Sequence, residues 1–503
     1  MNDGTHDPHR PLVIRGGLVL DASGFTGAAD ILVQDGTIVA VGTPGMAAPD
    51  DAAIVDASRR LLHPGLVNAH THGHGNLARS MGDRWTLELL LAAAPHMSPY
   101  QSVEEKQISA TIGAAEMLLK GCTACYDLFV EFPLPTEDGI AAVARAYEHA
   151  GMRAVIAPMM ADTTLYEAVP GLIDALTPDL RTAVGTLALP PWQETLARMR
   201  AILRNWQGDH AKVRPAVAPT IPLHCRDEFL LGCRDLGAEY DVGIHTHLAE
   251  SKVQAVAGSR RYGRSLTAHI EQLGLLGPRF VAAHGVWLDD EDMRRLGAHG
   301  ASVAHNPASN MRLGSGVADA VGMLAAGVNL GIGTDATTCS DNLNMFQSMH
   351  FAAAASHARG PDPAQWISAS QVFAAATMGS AQALGFANLG RIAPGFAADI
   401  VFLDLDAPTL IPLNEPTIQL VMGEDGTSVV DVMVDGRFVV RNRRLLTIDL
   451  PALAARAAEL RAAIDERAAG SRRRFDALAP IIGDFCPALA RTEWHINRWC
   501  GCA

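Results

Sequence analysis

Apolar and polar positions alternate in short runs near the start of the chain: Leu12-Val-Ile, Ile31-Leu-Val and Ile38-Val-Ala-Val. This period of two is the mark of strands buried on one face. Asp35-Gly36 falls between the last two runs. Asp-Gly between apolar runs predicts a type I′ hairpin, because both central residues must take positive φ. The same phrase returns near the other end as Val432-Met-Val, Asp435-Gly436 and Arg437-Phe-Val-Val. Two such hairpins bracketing the chain predict one small β-sandwich assembled from both ends, residues 1–63 and 389–447.

The middle has a different rhythm. After Pro64-Gly65, short apolar runs alternate with helical patterns: Leu66–Ala69, Thr123–Leu128, Ala154–Met160, Val213–Ala218, Val242–His245, Phe280–Ala283, Ala301–Ala304 and Val328–Ile332. Strands interleaved with helices in this number predict an α/β chain with a (β/α)8 TIM barrel over 64–388. In that fold chemistry collects at the C-terminal ends of the strands, so polar residues there come first as candidates. From about Leu450 to Leu478 the pattern is helical, rich in Ala, Leu, Arg and Glu. The rest of the 448–503 tail, with Trp494 and Trp499, is expected to pack back on the barrel.

Composition narrows the partners. A net charge of -14 gives an acidic surface that repels phosphate backbones, which argues against nucleic acid. No apolar run reaches the roughly 18 to 20 residues that cross a bilayer. The opening MNDGTHDPHRP lacks the apolar core of a signal peptide. A cytoplasmic protein without membrane contact is expected, as a homo-oligomer, dimer or tetramer. The 8 cysteines are scattered. Neither Cys122 and Cys125 nor Cys500 and Cys502 supply the four clustered ligands of a structural zinc, so all read as ordinary thiols.

The histidines and carboxylates carry the chemistry. His70 and His72 follow the first strand two residues apart, a spacing that turns both imidazoles to one side of extended backbone. His247, His284 and Asp335 stand at the ends of the fifth, sixth and eighth strands. Imidazoles with a carboxylate suit zinc, and also iron or manganese. Three histidines leave an open position for water, whose pKa falls to about 7 on zinc. Asp335 can approach the ion and accept a proton from that water. Glu250, three residues past His247, can carry a proton to a leaving nitrogen, and His284 can polarise the bond under attack.

Four stretches together resemble the amidohydrolase superfamily: Pro64-Gly-Leu-Val-Asn-Ala-His-Thr-His72, His247-Leu-Ala-Glu250, Val303-Ala-His-Asn-Pro-Ala-Ser-Asn-Met-Arg-Leu-Gly-Ser-Gly316 and Gly333-Thr-Asp335. More narrowly, they are similar to the branch of adenosine-type and guanine deaminases and triazine chlorohydrolases. The resemblance implies one divalent metal ion, with His70, His72, His247 and Asp335 as ligands and Glu250, His284 and Asp335 as catalytic residues. Zinc (Zn2+) is the first choice, Fe2+ or Mn2+ the others. Binuclear relatives use a carboxylated lysine at the end of the fourth strand. Here that strand runs Lys212-Val-Arg-Pro-Ala-Val-Ala-Pro-Thr220, with its lysine at the opposite end. The PCxxC element of nucleobase deaminases is also absent.

By the same resemblance, the loop after the first strand and the ends of strands two to four supply substrate contacts. The candidates are His74, Asn76, Arg84, Trp85, Phe129 and Glu131, with Arg79 and Asp83 in the same loop. His245 is expected to point away from the ion, His305 to hold loop backbone, and Asn310 and Arg312 to shape their loop. The function expected is hydrolytic deamination of an amino-substituted N-heterocycle, a small nitrogen-containing molecule. The alternatives are hydrolysis of an amide, urea or C–Cl bond at the same site and, remotely, an inactive scaffold. An inactive scaffold would have lost ligands, and none is lost.

Overall fold

The structure, a computed structural model, describes residues 10–21 and 23–499. Both alternating regions form strands: Leu12–Asp21, Gly24–Gln34, Thr37–Gly42, Ala53–Asp56 and Arg60–Pro64 from one end, with Ile400–Asp404, Val429–Val434, Arg437–Arg441 and Arg444–Leu445 from the other. All are joined in one 9-stranded sheet. The two ends meet where Arg60–Pro64 pairs antiparallel with Ile400–Asp404. Both Asp-Gly hairpins turn with positive φ, 47° and 75° at Asp35 and Gly36, 53° and 74° at Asp435 and Gly436. The turns also touch, since a Cβ on Gly436 would lie 3.0 Å from Gly36 Cα. Glycine is required there for its conformation and for its size. Ile14, Ile31, Ile38, Ile400 and Met433 are buried together on one face of this sheet.

The middle of the chain forms the expected strands in order. They are Leu66–Thr71, Cys122–Val130, Arg153–Met160, Val213–Pro215 with Ala218–Pro219, Ile244–Leu248, Phe280–His284, Ser302–His305 and Asn329–Ile332. Strands one to four form one parallel sheet and five to eight another. Isolated parallel bridges join the two at Val217–Ile244 and Thr71–Asp335. The result is a TIM-barrel-type α/β fold with an added sheet domain.

Two strands depart from expectation. The fourth is split, and Pro215 and Pro219, which carry no N–H, end its two pieces. The fifth starts later and runs to Leu248, which places His247 inside it.

The C-terminal helix is longer than its pattern predicts, Leu450–Ala490, and contains Pro480 and Pro487. Phe475, Leu478 and Ile482 on this helix are buried in one cluster with Ala92, Ala93 and Met97 of helix Leu87–Met97. The tail then returns to the barrel. Arg498 donates to the carbonyls of Val286 and Leu288, at 3.1 and 2.6 Å, and Trp499 Nε1 donates to Gly314 O at 3.1 Å.

Among the described residues, no helix is long and apolar enough to cross a membrane. Six cysteines there, Cys122 and Cys125 among them, are buried and unbridged. Burial pushes the Cys122 thiol up to about 12. Cys500 and Cys502 lie outside the described residues.

Candidate active site and metal centre

The polar strand-end residues converge. Strand Leu66–Thr71 carries His70 and delivers His72 immediately after it, while the fifth strand presents His247 and the sixth ends on His284. The eighth strand approaches the first very closely at Gly333, where a Cβ would lie 2.2 Å from Asn306 Oδ1 and 2.9 Å from His70 Cβ. No side chain fits, and Asp335 N donates to His70 O at 2.9 Å just beyond. Ala249, His284 and Asp335 take left-handed backbone, with φ of 50°, 72° and 62°. Such conformations are uncommon outside glycine and cluster where a site demands them.

The approaches are short. Asp335 Oδ1 is 3.5 Å from His70 Nε2 and 3.2 Å from His72 Nε2. His284 Nε2 is 3.7 Å from Glu250 Oε2 and 3.8 Å from Asp335 Oδ2. Three overlapping groups have ligand atoms within 4.8 Å of one another: His70, His247 and His284; His70, His72 and Asp335; Glu250, His284 and Asp335. His70 and Asp335 link them into one cluster.

The hydrogen bonds test whether that cluster fits a cation. His72 Nδ1 donates to Leu128 O and His247 Nδ1 to Thr220 O, both at 2.6 Å. In the neutral rings each Nε2 is therefore a bare lone pair, yet the two Nε2 atoms lie 3.2 Å apart. Two acceptors facing each other at that distance need a proton or a cation between them. His70 Nε2, His284 Nε2 and Glu250 Oε2 are also buried without a partner.

Burial holds His70 down at about 3 and His247 well below the usual imidazole range, so both stay neutral and able to ligate. Burial opposes charge on His72 too, but Asp335, the Leu128 carbonyl and Asp127 together outweigh it and raise this imidazole. The residues present fit a divalent ion.

The remaining groups are held in fixed roles. Asp335 receives Ser309 Oγ at 2.6 Å and Ala336 N at 2.8 Å. Burial works against its charge, yet the close imidazoles of His70, His72 and His284 together hold its carboxyl well below the usual range. Glu250 is the opposite case. Burial, reinforced by Asp335 and Glu88, drives its carboxyl well above the ordinary value. His284 Nδ1 donates to Asn310 Oδ1 at 2.8 Å, which turns Nε2 toward Glu250 and Asp335. Burial keeps this imidazole below its ordinary value as well.

His72, His247, Glu250, His284 and Asp335 form one end of a cavity of about 250 Å³. Of the expected substrate contacts, His74 and Glu131 line it. Asn76, Arg84, Trp85 and Phe129 do not, which corrects the expectation for all four. Asn76 is buried and spends its amide on Gly73 O and Ser109 O, at 3.0 and 2.8 Å. Arg84 is exposed on a left-handed turn with φ of 58°. Trp85 packs on Phe475 of the C-terminal helix, ring centroids 5.1 Å apart. Phe129 is fully buried in the core. Arg79 is ion-paired with Glu116, and Asp83 is exposed; neither reaches the cavity.

Most of the wall was not anticipated, because Leu87, Leu90, Leu91, Met97, Met160 and Leu165 carry only an ordinary core signal in sequence.

His245 also differs from expectation. The unbroken strand keeps residues 245 and 247 on the same side, so His245 faces inward, 5.0 Å from the His70 ring and 4.5 Å from the Tyr126 ring. It joins none of the three ligand groups. His305 leaves Nδ1 without a partner, so that nitrogen holds no loop backbone. Arg312 does shape its loop, donating to Asp341 Oδ2 and Gly82 O at 2.8 Å each. Lys212 pairs with Asp435 at 2.7 Å, at the N-terminal end of the fourth strand.

A TIM-barrel-type fold with buried imidazoles and two carboxyl groups converging at its strand ends is the setting of a metal-dependent hydrolase. The amidohydrolase family matches residues 61–439, and the chain belongs to that family. It is a hydrolase acting on carbon–nitrogen bonds other than peptide bonds.

The chain is 34% identical over 438 residues to a 5-methylthioadenosine/S-adenosylhomocysteine deaminase from Nitratidesulfovibrio vulgaris, covering 86% of this chain and 92% of that protein. It is 33% identical over 445 residues to a 5'-deoxyadenosine deaminase from Methanothermobacter thermautotrophicus, covering 87% and 95%. Among solved structures it is similar to a zinc-bound adenosine deaminase from Xanthomonas campestris, with TM-score 0.78, 29% identity and coverage of 90% and 98%. It is also similar to a zinc complex of atrazine chlorohydrolase from Arthrobacter aurescens, with TM-score 0.80, 26% identity and coverage of 90% and 100%.

Proposed function

We propose that this protein deaminates an amino-substituted N-heterocycle with water, using one zinc ion held by His70, His72, His247 and Asp335. The carrying observation is the convergence of Glu250 and Asp335 on His284 Nε2, which lies within 4 Å of both, with burial pushing the Glu250 carboxyl above the usual carboxylate range and the imidazoles holding Asp335 below it. Pairs of titratable groups pushed apart in this way mark an acid and a base. The deaminase relatives support the reaction class, and their zinc-bound structural neighbours support the metal. The lack of a lysine at the C-terminal end of the fourth strand supports one ion over two.

A bound zinc ion supplies Lewis acidity and brings the pKa of water down to about 7. Asp335, ionised and steered by Ser309 and Ala336 N, takes the proton that water releases. Glu250 gives its proton to the leaving amino nitrogen, which departs as ammonia while the ring carbon keeps the oxygen. His284, fixed by Asn310, orients the oxygen under transfer. The cavity walls exclude bulk water. The proposed architecture is a barrel over 64–388, a β-sandwich of 1–63 and 389–447, and a helical tail over 448–503.

A screen of the zinc-loaded enzyme for released ammonia, amine or chloride over aminopurines, aminopyrimidines, chlorotriazines, open-chain amides and aryl ureas tests the reading. Turnover of aminopurines or aminopyrimidines is expected. Turnover confined to chlorotriazines, open-chain amides or ureas would replace deamination with the alternative chemistry at the same site.

A further inference from the structure

The cavity is unusual in the charges it lacks. Among its described lining residues there is no arginine or lysine. Outside the cluster at its floor, its carboxylate is Glu131, and that charge is already matched. Glu131 is ion-paired with buried Lys106 and accepts from Thr136 N and Oγ1 at 3.0 and 2.7 Å. Neither Arg79 nor Arg84 lines the cavity, so neither meets a ligand there. The wall is built from Leu87, Leu91, Met97, Met160, Leu165 and Leu187. Helix Leu87–Met97 contributes the first three and is backed by the C-terminal helix.

We infer that the heterocycle carries an uncharged, apolar substituent lodged against this wall, and that a carboxylate or phosphate at the same place is rejected. The inference rests on the deaminase reading for its heterocycle and on the wall for its substituent. An anion pushed into the wall would lose its water and find no cation to replace it. An alkyl or alkylthio group meets leucine and methionine, and the flexible thioethers of Met97 and Met160 adapt to its shape.

The test is a matched series of 6-aminopurines with methyl, ethyl, propyl or butyl at N9, and a carboxyalkyl analogue of the longest. Each methylene leaving water is expected to raise kcat/KM for ammonia release by about fourfold. The carboxylate should fall at least about 100-fold below its alkyl match. Leu91, half-buried in the wall, gives the reciprocal arm: Leu91→Arg should narrow that gap by about tenfold or more.

An alkyl series without trend, or a carboxylate handled as well as the alkyl compound, overturns the inference. The same compounds are also tested as inhibitors of whatever turnover the substrate screen finds. If that turnover is confined to amide, urea or C–Cl bonds, inhibition in the expected order without ammonia release from the purines upholds the apolar wall and removes the deaminase reading instead.

Discussion

Asn310 is not a proposed metal ligand, yet through His284 it should govern the reaction rate. Its Oδ1 receives the His284 Nδ1–H at 2.8 Å, and both side chains are buried. The neighbouring Asn306 Nδ2, 3.4 Å from the same nitrogen, is a donor and cannot replace it. Asn310→Ala therefore strands a buried N–H, at a cost of about 1–3 kcal/mol. The ring escapes that cost by moving its proton to Nε2 or by rotating, and either change spoils the face turned to Glu250 and Asp335. Spent in the transition state, that free energy lowers kcat by about 5- to 150-fold.

The assay is steady-state ammonia release by zinc-replete variants with metal content measured in parallel. The loss should fall on kcat, with KM within about twofold and zinc unchanged. Asn310→Asp keeps the acceptor and should recover part of the rate. Its added charge favours imidazolium, so it should also move the acid limb of the pH profile upward. A zinc-replete Asn310→Ala enzyme with kcat within twofold of the parent would refute the positioning role.

Three further outcomes follow from the same geometry. Glu250→Gln keeps shape but loses the proton, so kcat should drop by about 10²- to 10⁴-fold with zinc retained, checked by single-turnover kinetics and elemental analysis. His247→Ala removes an imidazole fixed by Thr220 O and should lose most of the approximately one equivalent of zinc, whereas two equivalents in the parent would refute the single-ion centre. His63 is fully buried between Phe346 and Phe373, and burial holds it at about 4 against 6.5 in the unfolded chain. Below pH 6.5 the unfolded state binds a proton that the native state refuses until about pH 4. Stability should therefore be full above 6.5 and decline toward pH 4 by about 1.4 kcal/mol per pH unit from this residue alone. Urea midpoints across that range should show a shallower slope for His63→Gln; an unaltered slope would place the titration elsewhere.

Local pattern was enough for the framework. Alternation of period two with Asp-Gly turns marked strands at both ends, because a turn needing two positive φ angles leaves few residue choices. The eight apolar runs located the barrel strands, and the rule that function sits at strand C-termini picked out His70, His72, His247, Glu250, His284 and Asp335 before any contact was known. Those residues were legible because their spacing ties them to strand ends within a few positions along the chain.

What the sequence could not decide were distances between segments remote along the chain. His72 and His247 stand 3.2 Å apart although 175 residues separate them. The opposite displacement of the Glu250 and Asp335 carboxyls from their ordinary values arises from burial and neighbours that exist only in the folded state. The substrate wall stayed hidden for a related reason: Leu91 or Met160 lining a cavity has the same local signature as one filling a core. The polar loop that drew attention instead, Asn76 to Trp85, turned its side chains to backbone carbonyls, solvent and the C-terminal helix. Strand periodicity is a property of neighbours along the chain, whereas a cavity is what remains after distant elements have packed, so only the tertiary structure could show which apolar residues face empty space.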